Sequence, residues 1–122
     1  MSQIPDHKPS PFADLEDRTL RYAQRVNNYV KKLQKTIQNI ENGKQLIRSA
    51  GSVGANYIEA NESLSKKDFV MRVKISKKEA KESRYWLFLT EPYEENGKEK
   101  DMLIQESLEL MKTFGSIIER SK

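Results

Sequence analysis

The chain has no cysteine and a single histidine among its 122 residues. Without thiols there is no disulfide framework, no cysteine nucleophile, no sulfur-ligated metal and no redox switch. The one histidine, His7, stands among Pro5, Pro9 and Pro11, outside any periodic segment. Imidazole is therefore missing wherever a zinc, haem or di-iron site would need it, since a carboxylate-bridged di-iron bundle requires Glu-x-x-His pairs on two helices. A histidine-based triad is excluded on the same ground. Ser49 and Ser52, near Arg48 and Glu59, have no base in register. The GSVG run at Gly51 to Gly54 lies in helical pattern and has no following Lys-Ser or Lys-Thr, so it is no phosphate loop. No enzymatic activity and no cofactor are expected. Long apolar runs are absent too, and a third of the residues are charged, which leaves no membrane span. The first residues, MSQIPDHKPSPF, lack an apolar core behind a basic end and are not read as a secretory signal. A cytoplasmic location is the corresponding expectation.

What is present is helical periodicity. Three of the four prolines fall in residues 1–11, read as an N-terminal arm, and residues 12–122 carry one domain. Leu15, Tyr22, Val26, Tyr29, Val30, Leu33 and Ile37 recur at three- and four-residue steps, with Asp14, Glu16 and Asp17 early and Lys31, Lys32 and Lys35 late, as the helix dipole favours. A break is expected between Lys35 and Asn39, with Thr36 or Asn39 as the N-cap. A second helix spans about Asn39 to Ser63. Ser65 and Asp68 occupy capping-box positions before a third helix that reaches about Thr90. Pro92 and Gly97 bracket a short acidic loop, and the fourth helix runs from about Lys98 to Ile118 or beyond. No segment alternates with period two. The architecture expected is an all-α, up-down antiparallel four-helix bundle.

The second helix is the unusual one. Gly43, Ala50, Gly51, Gly54 and Ala55 form a run of small residues, and each helical glycine costs roughly 1 kcal/mol relative to alanine. Close approach of a neighbouring helix would offset that cost. Gln45, Arg48, Ser49, Ser52, Asn56, Glu59 and Ser63 share the helix as a polar stripe, read as a structural hydrogen-bond network inside the bundle or between subunits.

Charge is unevenly distributed. The net charge is +4, and residues 64–90 alone carry +5. On a helical projection Lys66, Lys67, Lys74, Lys77, Lys78, Lys81 and Arg84 occupy one contiguous third of the third helix, opposite Asp68, Glu79 and Glu82. Phe69, Val73, Ser76, Ala80, Ser83 and Leu87 form its inward seam. Arg18, Arg21, Arg25 and Lys32 make a second stripe on the first helix. Solubility is better served by interspersed signs, so the partner implied is nucleic-acid backbone, RNA or DNA. The cations are mostly lysine, the stripe carries no interleaved aromatics, and Trp86 projects away from it. Salt-sensitive, sequence-tolerant binding is expected rather than base reading. The apolar residues of the fourth helix cover an arc of roughly 180°, more than one bundle seam needs. Together with Met71, Ile75, Trp86 and Leu89 on the third, that surplus points to self-association.

The block IRSAGSVGANYIEANESLSKKDFVMRVKISKKEAKESRYWL, Ile47 to Leu87, with PFADLEDRTLRYAQRV before it, resembles the bacterial four helix bundle protein family, first known from intervening sequences of the large-subunit ribosomal RNA gene. The resemblance implies an up-down bundle assembled into a ring-like homopentamer. Relatives include the accessory protein of the reverse transcriptase of diversity-generating retroelements, whose positive surface is taken to contact nucleic acid. Arg48, Ser49, Ser52, Asn56 and Glu59 match the family's signature helix, and Ser65, Lys66, Phe69, Ala80 and Glu82 the following block. No catalytic residues come with it. Gln34 stands where many members have proline, and Ala55-Asn56-Tyr57-Ile58-Glu59-Ala60 departs from the familiar Ala-Asn-Ile-Ala-Glu-Gly. The functional expectation is a non-enzymatic oligomer binding nucleic-acid backbone through the two basic stripes. The alternative is an adaptor for a nucleic-acid-processing protein, such as a polymerase or reverse transcriptase, with no direct nucleic-acid contact.

Overall fold

In the computed structural model, residues 11–122 are described, with side chains from Asp14 onward. The expected N-terminal arm lies outside the described residues, except for Pro11. Four helices follow in chain order, α1 (Pro11–Lys31), α2 (Ile37–Asn61), α3 (Lys66–Leu89) and α4 (Gly97–Arg120), with a 3₁₀ turn at Glu94–Asn96 before the last. Among the described residues there is no strand. Pro11 opens α1, where its missing N–H costs no hydrogen bond.

The first break comes earlier than the periodicity predicts. Thr36 is the N-cap of α2, extended at φ −91° and ψ 162°, and its hydroxyl accepts from the Asn39 amide. Ile37, expected on the first helix, therefore starts the second and is 79% exposed. Asn39, the other capping candidate, is buried and serves both connections. Its amide donates to the Gln34 and Glu91 carbonyls, each at 3.0 Å, and its Oδ1 accepts from the Glu91 N–H at 2.9 Å. One side chain thus ties the α1–α2 turn to the α3–α4 loop. At the other end Ser65 caps α3 by accepting from Asp68 N–H, as the capping-box spacing predicts.

Neighbouring helices run in opposite directions. Ser76 of α3 donates to the Val53 carbonyl of α2, and Asn42 of α2 to the Leu89 carbonyl. Arg18 and Arg25 of α1 meet Glu106 and Glu99 of α4. α1 and α3 are diagonal and parallel. The Tyr22 hydroxyl lies 2.7 Å from Ser83 Oγ and the Tyr29 hydroxyl 2.8 Å from Thr90 Oγ1, and because Ser83 and Thr90 donate to the Ala80 and Leu87 carbonyls, both tyrosines are the donors. The core between them is Val26, Leu46, Val53, Val73, Leu87, Leu103, Leu110 and Phe114, each fully enclosed. Tyr57 packs against Phe114, ring centroids 5.8 Å apart.

The small residues of α2 divide into two kinds. A Cβ added to Gly54 would sit 2.8 Å from Thr19 Oγ1 and 3.1 Å from Thr19 Cβ, so this glycine is where α1 and α2 pass closely. Gly51 faces outward with nothing within 4 Å of such a Cβ. Thr19 is β-branched and its hydroxyl donates to the Glu16 carbonyl at 2.9 Å, so it yields little. Gly54→Ala should lower stability by about 1–3 kcal/mol. Gly51→Ala should raise it by up to about 1 kcal/mol. Urea titrations of the two variants, followed by helical circular dichroism, check the opposite signs.

Burial pushes the Tyr22 and Tyr57 hydroxyls up to about 12. Tyrosines in the unfolded chain titrate near 10. Above that pH the unfolded state has released protons that the folded state still holds. Stability is therefore unaffected below about pH 10 and falls as pH rises toward about 12. In denaturation midpoints measured stepwise from pH 8 upward, Tyr22→Phe should cost about 1 kcal/mol at neutral pH through its lost hydrogen bond, yet flatten the alkaline decline.

Candidate nucleic-acid interface

α3 is buried along a narrow strip. Val73, Ser76, Ala80, Ser83 and Leu87 are fully enclosed and Phe69 is half-buried, the seam expected from spacing. Most of the circumference is left outside. Lys67, Lys74, Lys78 and Lys81 lie on the outer arc, Lys66 and Lys77 are exposed on the flank nearest α4, and Arg84 is half-buried there. Lys66, Lys67 and Lys74 line a depression together with Val70, Met71 and Ser121, the residue that follows α4. Among the described residues none of these six lysines forms an ion pair. The acidic residues lie on the α2 flank. Glu79 is raised above the usual carboxylate range by burial first and by Glu82 second, with Lys78 and Arg48 opposing. Glu82 accepts from Trp86 Nε1 at 3.3 Å.

The α1 stripe is placed differently. Arg18 makes a bidentate pair with Glu106 at 2.7 and 2.9 Å, and that hydrogen bond holds its pKa above the ordinary value. Arg25 faces Glu99 at 3.4 and 3.5 Å, and Arg21 pairs with Asp17 on its own helix at 2.8 Å. Lys32, just past the end of α1, is exposed and unpaired. Because α1 and α3 are diagonal, their outward faces look away from each other, and the two stripes do not merge. Three of the four α1 cations are matched by carboxylates that only the packing of α4, or one turn of α1, brings near.

The polar stripe of α2 closes onto its own backbone. Ser49, Ser52 and Ser63 donate to carbonyls four residues earlier, at Gln45, Arg48 and Glu59, and the Asn56 amide donates to Ser52. Only Ser49 is buried, while Arg48 and Glu59 are exposed. Within the chain the stripe is therefore no shared network, since hydroxyls in a helix are readily satisfied by the preceding turn. The one link outward runs from Arg72 to Asn56 Oδ1 at 3.1 Å.

Two expectations about apolar residues change. The wide arc of α4 is used inside the chain: Ile104, Met111, Ile117 and Ile118 pack on the core, and Met102 is its one exposed large apolar residue. α4 lies against both α3 and α1, so two seams absorb what one could not. The exposed apolar surface lies instead on α2, at Ile40, Ile47 and Ile58, and on α3, at Met71, Tyr85, Phe88 and Leu89. The basic ridge is also not free of aromatics. Tyr85 is 58% and Phe88 52% exposed on the lysine side, whereas Trp86 is half-buried. The spacing held the signal, because Tyr85 is seven residues from Lys78 and Phe88 seven from Lys81, which returns each to the same face. The Arg84 guanidinium lies over the Phe88 ring, 5.1 Å from its centroid, and Tyr85 meets Trp86 edge-on at 5.0 Å and 77°.

Among the described residues no group of three or more carboxylates or histidines could hold a metal ion, and no helix is long and apolar enough to cross a membrane. In comparisons with known proteins, no curated protein matches the chain. A solved structure does: a protein with unknown function from the S23 ribosomal protein family of Bacteroides thetaiotaomicron VPI-5482, 31% identical, superposes with a TM-score of 0.75 over 88% of this chain and 97% of that one. The model of the 23S rRNA-intervening sequence proteins matches residues 14–116. With that match spanning most of its length and all four helices, the chain belongs to the 23S rRNA-intervening sequence protein family.

Proposed function

We propose that this protein is a cytoplasmic, non-enzymatic, self-associating bundle that holds nucleic-acid backbone on the outer ridge of α3. The observation that carries the reading is the contrast between two basic faces of one molecule. On α1 the arginines are matched by Glu106, Glu99 and Asp17, whereas on α3 six lysines stand in solvent with no ion pair among the described residues. An unmatched row of lysines on a rigid helix costs stability through self-repulsion and yields a field that a polyanion relieves. The α1 stripe, being compensated within the chain, contributes less. Lys32 alone remains available there.

Self-association through the exposed isoleucines of α2 and through Met71 and Leu89 of α3 would repeat the ridge around a ring, and five copies is the number the family resemblance implies. Individually weak backbone contacts then act together by effective concentration.

Reversing Lys74, Lys78 and Lys81 to glutamate tests the reading. Each phosphate contact contributes about 0.9 to the slope of log affinity against log salt on duplex DNA and about 0.7 on a single strand, so the triple variant should lose about 2–3 from that slope along with most of its affinity. Fluorescence anisotropy with labelled RNA and DNA at two salt concentrations measures the effect, and light scattering verifies the oligomer. Unchanged binding, or none by the parent chain at low salt, would overturn the backbone reading and favour an adaptor working through the apolar surface.

A further inference from the structure

The lysine ridge ends on a feature that backbone binding alone does not use. At the C-terminal end of α3, Tyr85 and Phe88 expose more than half of their surface on the side that carries Lys78 and Lys81. Large aromatic rings left in water among cations are costly unless something covers them. They are also held in place. Phe88 is overlaid by the Arg84 guanidinium at 5.1 Å, and Tyr85 is braced edge-on by the half-buried Trp86. Among the described residues Arg84 forms no ion pair, and its Nε is buried without a hydrogen-bond partner. This differs from Arg18, whose guanidinium is fully engaged by Glu106. A planar cation lying on an aromatic ring offers the charge and the flat surface that a phosphate or a base can meet.

We infer that Tyr85, Phe88 and Arg84 form a stacking platform for unpaired bases, and that the nucleic acid carried on the ridge is single-stranded where it passes the end of α3. The inference rests on the backbone reading and narrows it. A duplex keeps its base faces against one another and offers an aromatic side chain only phosphate and sugar, to which Phe88 can give nothing. An unstacked strand presents a base face that a tyrosine, a phenylalanine or a guanidinium plane can cover. The placement suits one nucleotide after another. Four residues, a rise of about 6 Å, separate Lys81 from Tyr85 and Arg84 from Phe88, so a phosphate held by the first of each pair leaves its base beside the second. Charge complementarity identifies the occupant: an apolar protein partner would have to desolvate Lys78, Lys81 and Arg84 with no anion to offset them.

The test uses the full chain with a labelled RNA strand of about twelve nucleotides, within the usual site size, and the same strand annealed to its complement. Phe88→Leu and Tyr85→Leu keep apolar volume and remove the π face. Each should weaken single-strand binding about tenfold with little change in salt slope and leave duplex binding as it was. Phe88→Trp should restore or strengthen it. Arg84→Lys, which keeps the charge and loses the plane, should move single-strand affinity in the same direction even if a leucine variant folds poorly. Fluorescence of the sole tryptophan, beside Tyr85, should change with the single strand and not with duplex. Lysine-dependent binding that ignores both rings, or that falls equally for strand and duplex, overturns the platform and leaves the backbone reading standing. Ring variants that lose oligomer mass would assign Tyr85 and Phe88 to subunit contact and overturn it as well. Absence of binding by the parent chain removes both.

Discussion

α3 meets the core through a strip of small side chains, and the rest of the molecule is arranged around that contact. Ser76, Ala80 and Ser83 are fully buried between Val73 and Leu87. Side chains this short leave space that α1 fills from across the bundle. Tyr22 reaches Ser83 and Tyr29 reaches Thr90 through the interior. The hydroxyls of the strip have partners on both sides: Ser76 donates to Val53, and Ser83 and Thr90 donate to their own helix while accepting from the tyrosines. These bonds between helices fix rotation about the helix axis, because turning α3 by a few tens of degrees would part Ser76 from the Val53 carbonyl and take Ser83 and Thr90 away from the tyrosine hydroxyls. The orientation of the lysine ridge follows from that constraint.

The second governing fact is how opposite charges are allotted. α4 has five acidic residues to four basic, and its Glu99 and Glu106 face α1. Arg18 and Arg25 are thereby drawn into joining two helices. α3 has no such neighbour on its outer side, and its own acids are turned toward α2, where Glu79 lies near Arg48 and Glu82 holds Trp86. Two basic stripes thus differ in whether carboxylates meet them. The difference arises from what packs beside each, since a carboxylate within hydrogen-bonding distance cancels a field that an unmatched lysine projects.

Much of this was legible in the residues. Helix number, the Ser65 cap, the inward seam of α3 and its cationic face all follow from spacing. The α1–α2 boundary was less so. Ile37 continues the apolar period of α1, and only the extended Thr36 with its bond to Asn39 stops the helix before it. Local period cannot register a cap whose alternative, Asn39, is drawn away by the distant Glu91. Of the small residues, Gly54 is explained by close approach to Thr19, while Gly51 faces open space. Composition could not separate them. Nor could it show that Tyr57, whose residue type departs from the family motif, would be wholly buried with its hydroxyl unpartnered against the ring of Phe114.

The sequence by itself determined the class of fold, the extent of each basic face and the absence of thiol chemistry, because each depends on residue identity or on intervals of three, four and seven along one helix. Only the tertiary structure decided which cations stay uncompensated and which apolar surface remains outside. Those properties belong to pairs of helices. Whether Arg18 meets Glu106, or α4 covers its wide apolar arc, depends on residues about ninety positions apart coming within a few ångströms. Periodicity within one segment carries no information about that distance.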